Sequence, residues 1–333
     1  MRRTRSVVIH YPAKSSRVLV RTETDWDTVI APVRVNGAKT RHEFRIPIEG
    51  AHAYFKPMLM RGAKELWARG ENELVLANGA GARDVYPYFT EDDACSVREL
   101  HTVEGPARMH DVRVFVPPGY EENTLQYFPV LYLQDASNLF FQDEAFGGTA
   151  WKIDETLKIL GAMNLTRPVI AVGVYPRERE EDYTQPGYEE YGRFLVDEIV
   201  PWVNLNYRTL LLPETTAVMG SSLGGVVSLY LAWQFPEVFG RAACLSSTFG
   251  YKDDLAQRIG SEEKRAVRIY LDSGWPRDNY EATLDMRNLL VARGYSLGRD
   301  VFHLAFPNAK HDEAAWSMRA HVPIQLLFGS HTA

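Results

Sequence analysis

An α/β sandwich on a mainly parallel sheet, preceded by a small all-β (sandwich-like) region, is the fold class this sequence predicts. Three observations predict it. From about residue 93 onward, apolar strand-like runs alternate with apolar residues at helical spacing, the pattern of a parallel sheet covered on both faces. Within that alternation the run TTAVMGSSLGGVVSLYLAWQF (215–235) passes from strand to helix through Gly220-Ser221-Ser222-Leu223-Gly224. Before residue 93 no helical period of any length is present, only short extended runs between turn signals.

The 333 residues suffice for one large domain, or one of usual size with a small companion. Hydrophobic residues make up 45% and charged residues 24%, ordinary for a globular protein that buries a real core. A net charge of -6 argues against nucleic acid or an anionic membrane as partner. The start, MRRTRSVVIHYPAKSS, carries basic residues but no apolar stretch long enough for an export signal, and no later run approaches a membrane span. Cys244 sits in the apolar run AACLSS and Cys95 stands apart from it, so neither a disulfide framework nor a metal site is indicated. A cytoplasmic, reduced protein is the expectation. The oligomeric state stays open, a homo-oligomer included.

Taken in order, residues 6–10, 17–22, 28–35, 42–48, 53–57, 73–77 and 85–89 read as extended pieces. Turn signals such as Val35-Asn36-Gly37, Glu49-Gly50 and Ala77-Asn78-Gly79 divide them. They define a β-rich N-terminal domain over 1–92. Its aromatics Tyr54-Phe55 and Tyr86-Pro87-Tyr88-Phe89 suit either a ligand-binding surface or packing, and packing is the commoner use. Glu91-Asp92-Asp93 reads as a linker to the second domain, 93–333. There 96–103 and 110–117 look like paired strands, 129–134 a buried strand, 153–160 part of a helix and 168–174 another strand. A charged loop follows, then a helix over 191–206, with apolar residues at Phe194, Leu195, Ile199, Trp202 and Val203. After the 215–235 unit come strands at 241–245 and 267–272, a helix through 286–291, a strand at 300–306 and a terminal helix.

Gly-x-Ser-x-Gly between a strand and a helix is the nucleophile elbow, with Ser222 at its tip. A serine hydroxyl is a poor nucleophile unless it is exposed at a sharp turn within reach of a base. The turn leaves no room for side chains at Gly220 and Gly224. The helix that starts there aims N–H groups and a partial positive charge at the reacting carbonyl. The base must be a histidine on a later loop. Of the three histidines beyond Ser222 and before the tail, His303 lies in a strand and His321 in the terminal helix, which leaves His311, in Pro307-Asn308-Ala309-Lys310-His311-Asp312. The orienting acid is Asp278, on the loop after the 267–272 strand, with Asp272 at the strand end as the alternative; either could instead cap the next helix. Two backbone N–H groups should form the oxyanion hole, from Leu223 and from the Asp135-Ala136-Ser137-Asn138 loop, where position points to Ser137.

From about 117 to 322 the chain resembles the bacterial Putative esterase group of α/β-hydrolases. That group holds siderophore (enterochelin-type), feruloyl and acetyl-xylan esterases, formylglutathione hydrolase and mycolyltransferases. The matching pieces are FPVLYLQDASNLF, the REEDYT loop of Arg179 to Thr184, FLVDEIVPWVNLNYRT, AVMGSSLGGVVSLYLAWQFPEVFGRAACLSS and KHDEAAW. The resemblance implies Ser222 as nucleophile, His311 as base, an aspartate of the 274–278 loop as acid, and Ser137 and Leu223 at the oxyanion positions. The family usually has glycine where this chain has Ala136 and again where it has Lys310. The first ninety residues are a looser match to the β-sandwich preceding some siderophore and carbohydrate esterases.

The expectation is a serine carboxylic-ester hydrolase acting on a small-molecule ester, with no metal or organic cofactor. Arg179, Tyr183, Trp151, Trp275 and Trp316 are candidate substrate-binding walls. An acyltransferase of the mycolyl type would use the same residues with an alcohol in place of water. A non-catalytic binding protein with a relic site is the third reading, and Ala136 is the one feature in its favour.

Overall fold

The computed structural model describes residues 3–90 and 96–329. Cys95, the Glu91-Asp92-Asp93 run and the expected domain boundary at 92/93 lie outside the described residues. The chain divides into two compact units. One takes in the described residues up to Ser96 together with Pro117–Tyr127 and Lys158–Leu165; the other holds Val97–Val116, Phe128–Leu157 and the described residues from Thr166 on.

The first unit is a β-sandwich. Its strands are β1 (Arg3–His10), β2 (Arg17–Thr22), β3 (Asp25–Ile30), β4 (Arg34–Val35), β5 (Arg41–Ile48), β6 (His52–Arg61), β7 (Lys64–Trp67), β8 (Glu73–Leu76) and β9 (Arg83–Val85). One sheet runs β4-β5-β1-β9; the other runs β3-β2-β6-β7, with β8 also pairing β6. Alternation explains the packing: in β5, His42, Phe44, Ile46 and Ile48 point inward while Arg41, Glu43, Arg45 and Pro47 do not. Val7, Ile9, Phe44 and Ile46 from one sheet meet Val18, Val20, Phe55 and Leu59 from the other in a single core. Burying each such side chain fully is worth about 1.5–3 kcal/mol. Phe55 and Phe89 belong to this core and Tyr86 stacks on His10, whereas Tyr54 is partly exposed. The predicted 28–35 strand is two strands, β3 and β4, and β7 was not foreseen. In it Lys64, Glu65 and Trp67 are exposed and Leu66 is partly buried, so it has no clear inward-outward alternation to read.

The second unit is the predicted α/β sandwich. Its strands are β10 (Ser96–Val97), β11 (His101–Glu104), β12 (Met109–Val116), β13 (Val130–Leu133), β14 (Ile170–Val174), β15 (Thr216–Ser221), β16 (Arg241–Leu245), β17 (Arg268–Trp275) and β18 (Val301–Pro307). The sheet order is β10-β12-β14-β13-β15-β16-β17-β18, with β11 on β12; β13 to β18 run parallel and β12 is antiparallel to β14. Every residue of β13, β14 and β15 is buried, as central strands covered on both faces require.

The helices are α1 (Ile153–Ala162), α2 (Arg179–Tyr183), α3 (Gly187–Phe194), α4 (Val200–Asn206), α5 (Leu223–Gln234), α6 (Leu255–Ser261), α7 (Tyr280–Ala292), α8 (Glu313–Arg319) and α9 (His321–Phe328). Two expectations are corrected. The charged loop after β14 contains α2, which has three acidic residues near its favourable N-terminal end. The predicted 191–206 helix starts earlier, at Gly187, and passes through a π-helical turn at Leu195–Ile199 just before Pro201. Proline has no N–H to continue the regular ladder, so a wider turn there is physically reasonable. Among the described residues no helix is long and apolar enough to cross a membrane.

Candidate active site

Strand β15 delivers the chain to Ser222, which takes φ 55° and ψ −120°, and α5 begins at the next residue. Such a backbone costs a non-glycine residue about 1–3 kcal/mol and persists only where its surroundings over-determine it. Here the Ser222 N–H donates to Leu245 O at 2.9 Å, tying the turn to the end of β16. A Cβ on Gly220 would lie 2.5 Å from the Gly224 carbonyl group, so that glycine is required by close approach. At Gly224 the nearest contact would be 3.2 Å; the tighter neighbour is Gly225, whose Cβ would sit 2.0 Å from Ser247 Oγ. Leu223 opens α5, where unpaired N–H groups and the helix dipole face the turn.

The expected acid and the expected base meet. His311 Nδ1 lies 2.6 Å from Asp278 Oδ1, joining the loop after β17 to the loop after β18. The Asp278 side chain is almost wholly buried while His311 keeps more than a third of its surface exposed. Burial alone would raise the Asp278 carboxyl. Hydrogen bonds from His311, from the Ser246 hydroxyl at 2.6 Å and from the Gly274 N–H at 2.7 Å outweigh it and hold the group below its ordinary range. Of the other two histidines, His303 faces Thr283 Oγ1 at 3.2 Å and His321 opens α9.

Asp272 is not at a strand end. Strand β17 continues to Trp275, so Asp272 sits inside the sheet with no exposed surface. Burial raises its carboxyl, opposed by Arg319 and by the Tyr270 hydroxyl, which donates to Oδ2 at 2.8 Å. Neither aspartate caps α7; Asn279 occupies that position. Asp312, beside His311, does cap a helix: its side chain accepts from the Ala315 N–H at 2.9 Å.

The loop expected to supply an oxyanion donor forms a 3-10 turn, Ala136–Asn138, with Ser137 in its middle and Asp135 before it at φ 56°. The left-handed residue is therefore Asp135. Neither Ala136 nor Lys310 has a positive φ, so the backbone at neither position needs the glycine that the family resemblance led us to expect. Arg179 Nε and Nη2 donate to the two Asp135 carboxylate oxygens at 2.7 and 2.9 Å, a bidentate pair. The Asp135 N–H donates to the Tyr183 hydroxyl at 3.0 Å. One turn of α2 thus grips Asp135, the residue that enters the 136–138 turn, at both its side chain and its backbone N–H.

The five candidate walls separate accordingly. Tyr183, Trp151 and Trp316 are buried, and Trp275 is half exposed. Trp151 Nε1 donates to Glu313, and Asn138 Nδ2 donates to the same carboxylate at 3.1 Å. Trp316 stands edge-on to the His311 ring, 4.9 Å between centroids. Four residues of this site escaped the sequence reading: Asn138, Ser246, Glu313 and Arg319. The available signal was in α8, where Arg319 falls three residues after Trp316 and so shares its inward face. Cys244 is a buried free thiol.

The Putative esterase family model matches residues 105–317. YbbA of Bacillus subtilis (strain 168), an uncharacterized protein, is 23% identical over 48% of this chain and 66% of its own length. An endo-1,4-β-xylanase/feruloyl esterase of Xylanibacter ruminicola is 24% identical over 74% of this chain and 32% of its own length. The chain thus spans less than two thirds of each of these curated relatives. The enterobactin esterase FES of Shigella flexneri, solved in the presence of enterobactin, is similar in fold, with a TM-score of 0.57 at 15% identity over 97% of this chain and 92% of that one. The match to the family model takes in both loops that carry the Asp278–His311 pair and the whole of the Ser222 turn, and the protein belongs to the Putative esterase family.

Proposed function

We propose that the protein hydrolyses a carboxylic ester of a small molecule through Ser222, His311 and Asp278. The observation that carries this reading is the 2.6 Å contact between His311 Nδ1 and Asp278 Oδ1, in a sheet whose β15 ends on the strained Ser222 turn. With Nδ1 donating to an ionised carboxylate, Nε2 has a lone pair free to act as base. Ser222 Oγ attacks the ester carbonyl as His311 takes its proton, and the N–H groups of Leu223 and Ser137 receive the developing oxyanion. The tetrahedral intermediate collapses as His311 protonates the leaving alcohol, giving an acyl-enzyme. Water then repeats the sequence and releases the acid. No step calls on a metal or organic cofactor.

For substrate class, siderophore-, feruloyl- and acetyl-sugar-type esters are the ones to try. Relatives named feruloyl esterase and enterobactin esterase support that choice. The test is hydrolysis of short p-nitrophenyl esters and labelling by a fluorophosphonate, for wild type and Ser222→Ala. Both signals should disappear in the variant. Activity and labelling that survive it would remove Ser222 from its role.

A further inference from the structure

Between β16 and α8 a buried polar cluster reaches the far side of the Asp278 carboxylate. Ser246, the residue after β16, has φ 45°. Its backbone is held at both ends: the N–H donates to Asp272 O and the carbonyl accepts from Asn279 Nδ2, each at 2.8 Å. Its hydroxyl touches three groups. Trp316 Nε1 donates to it at 3.0 Å, Arg319 Nη2 also donates to it, and it lies 2.6 Å from Asp278 Oδ2. Indole and guanidinium nitrogens can only donate, so they occupy both lone pairs of Ser246 Oγ. The single hydroxyl proton is left with one place to go, Asp278 Oδ2.

The polarity then propagates without ambiguity. Oδ2 receives Ser246 and the Gly274 N–H, so Oδ1 is the oxygen left to His311, and His311 must present Nδ1–H to it. Arg319 contributes charge as well, with Nη2 3.6 Å from Asp278 Oδ2. Arg319 is itself fixed by Asp272, whose Oδ1 it reaches at 3.1 Å, and both are essentially without exposed surface. Trp316 and Arg319 stand on one face of α8, the helix that starts two residues after His311. His311 and two of the groups that meet around Ser246, Trp316 and Arg319, therefore lie on one short piece of chain, residues 311–319.

We propose that Ser246 and Arg319 are positioning residues of the reaction: they select which Asp278 oxygen faces His311, and Asp272 serves as the counter-ion that keeps Arg319 in place. This rests on the Ser222–His311–Asp278 reading above. Both residues are buried, and the role assigned to them needs no contact with substrate. Their removal should therefore lower kcat and leave KM nearly unchanged, because the orientation of the base matters at the transition state and not in binding.

The experiment measures p-nitrophenyl ester hydrolysis by Ser246→Ala, Arg319→Met and Arg319→Lys, with the low-field proton NMR signal of the His311–Asp278 bond recorded alongside. In the first two, kcat should fall about 10- to 100-fold with KM within about twofold, the scale of a misplaced reacting group. The low-field signal should weaken or move upfield. Arg319→Lys, which keeps a donor and the charge, should recover part of the loss. Ser246→Ala deletes one oxygen only and decides the matter even where Arg319→Met fails to fold.

A Ser246→Ala enzyme with full kcat and an unmoved low-field signal would overturn the positioning role, whatever its thermal stability. Ser222→Ala in the same assay keeps the two questions apart. Activity lost there but intact in Ser246→Ala overturns this proposal alone; activity intact in Ser222→Ala overturns the triad and this proposal with it.

Discussion

Asp278 turns one carboxylate oxygen to His311 at 2.6 Å, whereas Asp272, on the strand leading to it, turns to Arg319 at 3.1 Å. The two aspartates should therefore fail differently. Asp278→Asn offers His311 an amide and allows the wrong tautomer, and kcat should drop by about 10⁴-fold with the fold intact. Asp272→Asn leaves a buried guanidinium without its counter-charge, and the loss should appear mainly as stability, about 3–5 kcal/mol. Urea unfolding and ester hydrolysis measured on both variants separate the roles. A 10⁴-fold loss from Asp272→Asn in a fully folded sample would reverse the assignment.

Arg179 and Tyr183 suit substrate contact when read from sequence, yet both grip Asp135. Tyr183→Phe strips the acceptor from a buried N–H, a change that costs about 1–3 kcal/mol. Because Asp135 leads into the turn that carries Ser137, the variant should also lose kcat, with KM steady. Arg179→Met should behave likewise. A selective rise in KM, with kcat preserved, would return either residue to the substrate.

At the start of α5 the packing is close enough for a paired test. Gly225→Ala would drive a methyl group to 2.0 Å from Ser247 Oγ, and that variant should be destabilised and poorly active. With Ser247→Ala added, the nearest remaining contacts are at 3.2 Å, so the double variant should recover much of the loss. The thermal midpoints of the two singles and the double give the coupling directly. Strict additivity would mean that the collision is relieved elsewhere.

What the sequence made legible was the chemistry written in short spacings. Gly-x-Ser-x-Gly lies within five residues, and the base could be sought on one loop. The extent of β17 could not be read, because Ser273, Gly274 and Trp275 look like a loop after an apolar strand. That is why Asp272 stayed open as the alternative to Asp278. The cluster around Ser246 was hidden for a different reason: Arg319 is 73 residues away from it, and a lone arginine on a short helix looks like a solvated charge. Likewise REEDY reads as a charged loop until its arginine and tyrosine are seen to reach the same residue four residues apart on a helix. The all-β N-terminal region was visible as short extended runs between turn signals, except at β7, where no such run stands out.

In the sandwich unit, Glu122 supports a prediction that involves no catalysis. Its carboxylate accepts from the Tyr11 hydroxyl and the Phe89 N–H on Oε1, each at 2.9 Å, and on Oε2 from the Thr90 N–H at 2.9 Å and the Thr90 hydroxyl. Burial alone would raise this carboxyl, but the four donors together outweigh it and hold the group below its ordinary value of 4.5. A carboxylate depressed in the folded state stabilises the protein fully above its unfolded value, and that contribution is lost as pH falls through the folded value. Glu122→Gln should therefore cost about 1–3 kcal/mol at pH 7, the scale of hydrogen bonds to a charged group. The gap between wild type and variant should narrow as urea unfolding is repeated from pH 5 down to pH 3. A gap that stays constant over that range would show that the charge on Glu122 contributes nothing, and that the loss comes from the fit of the amide among the four donors.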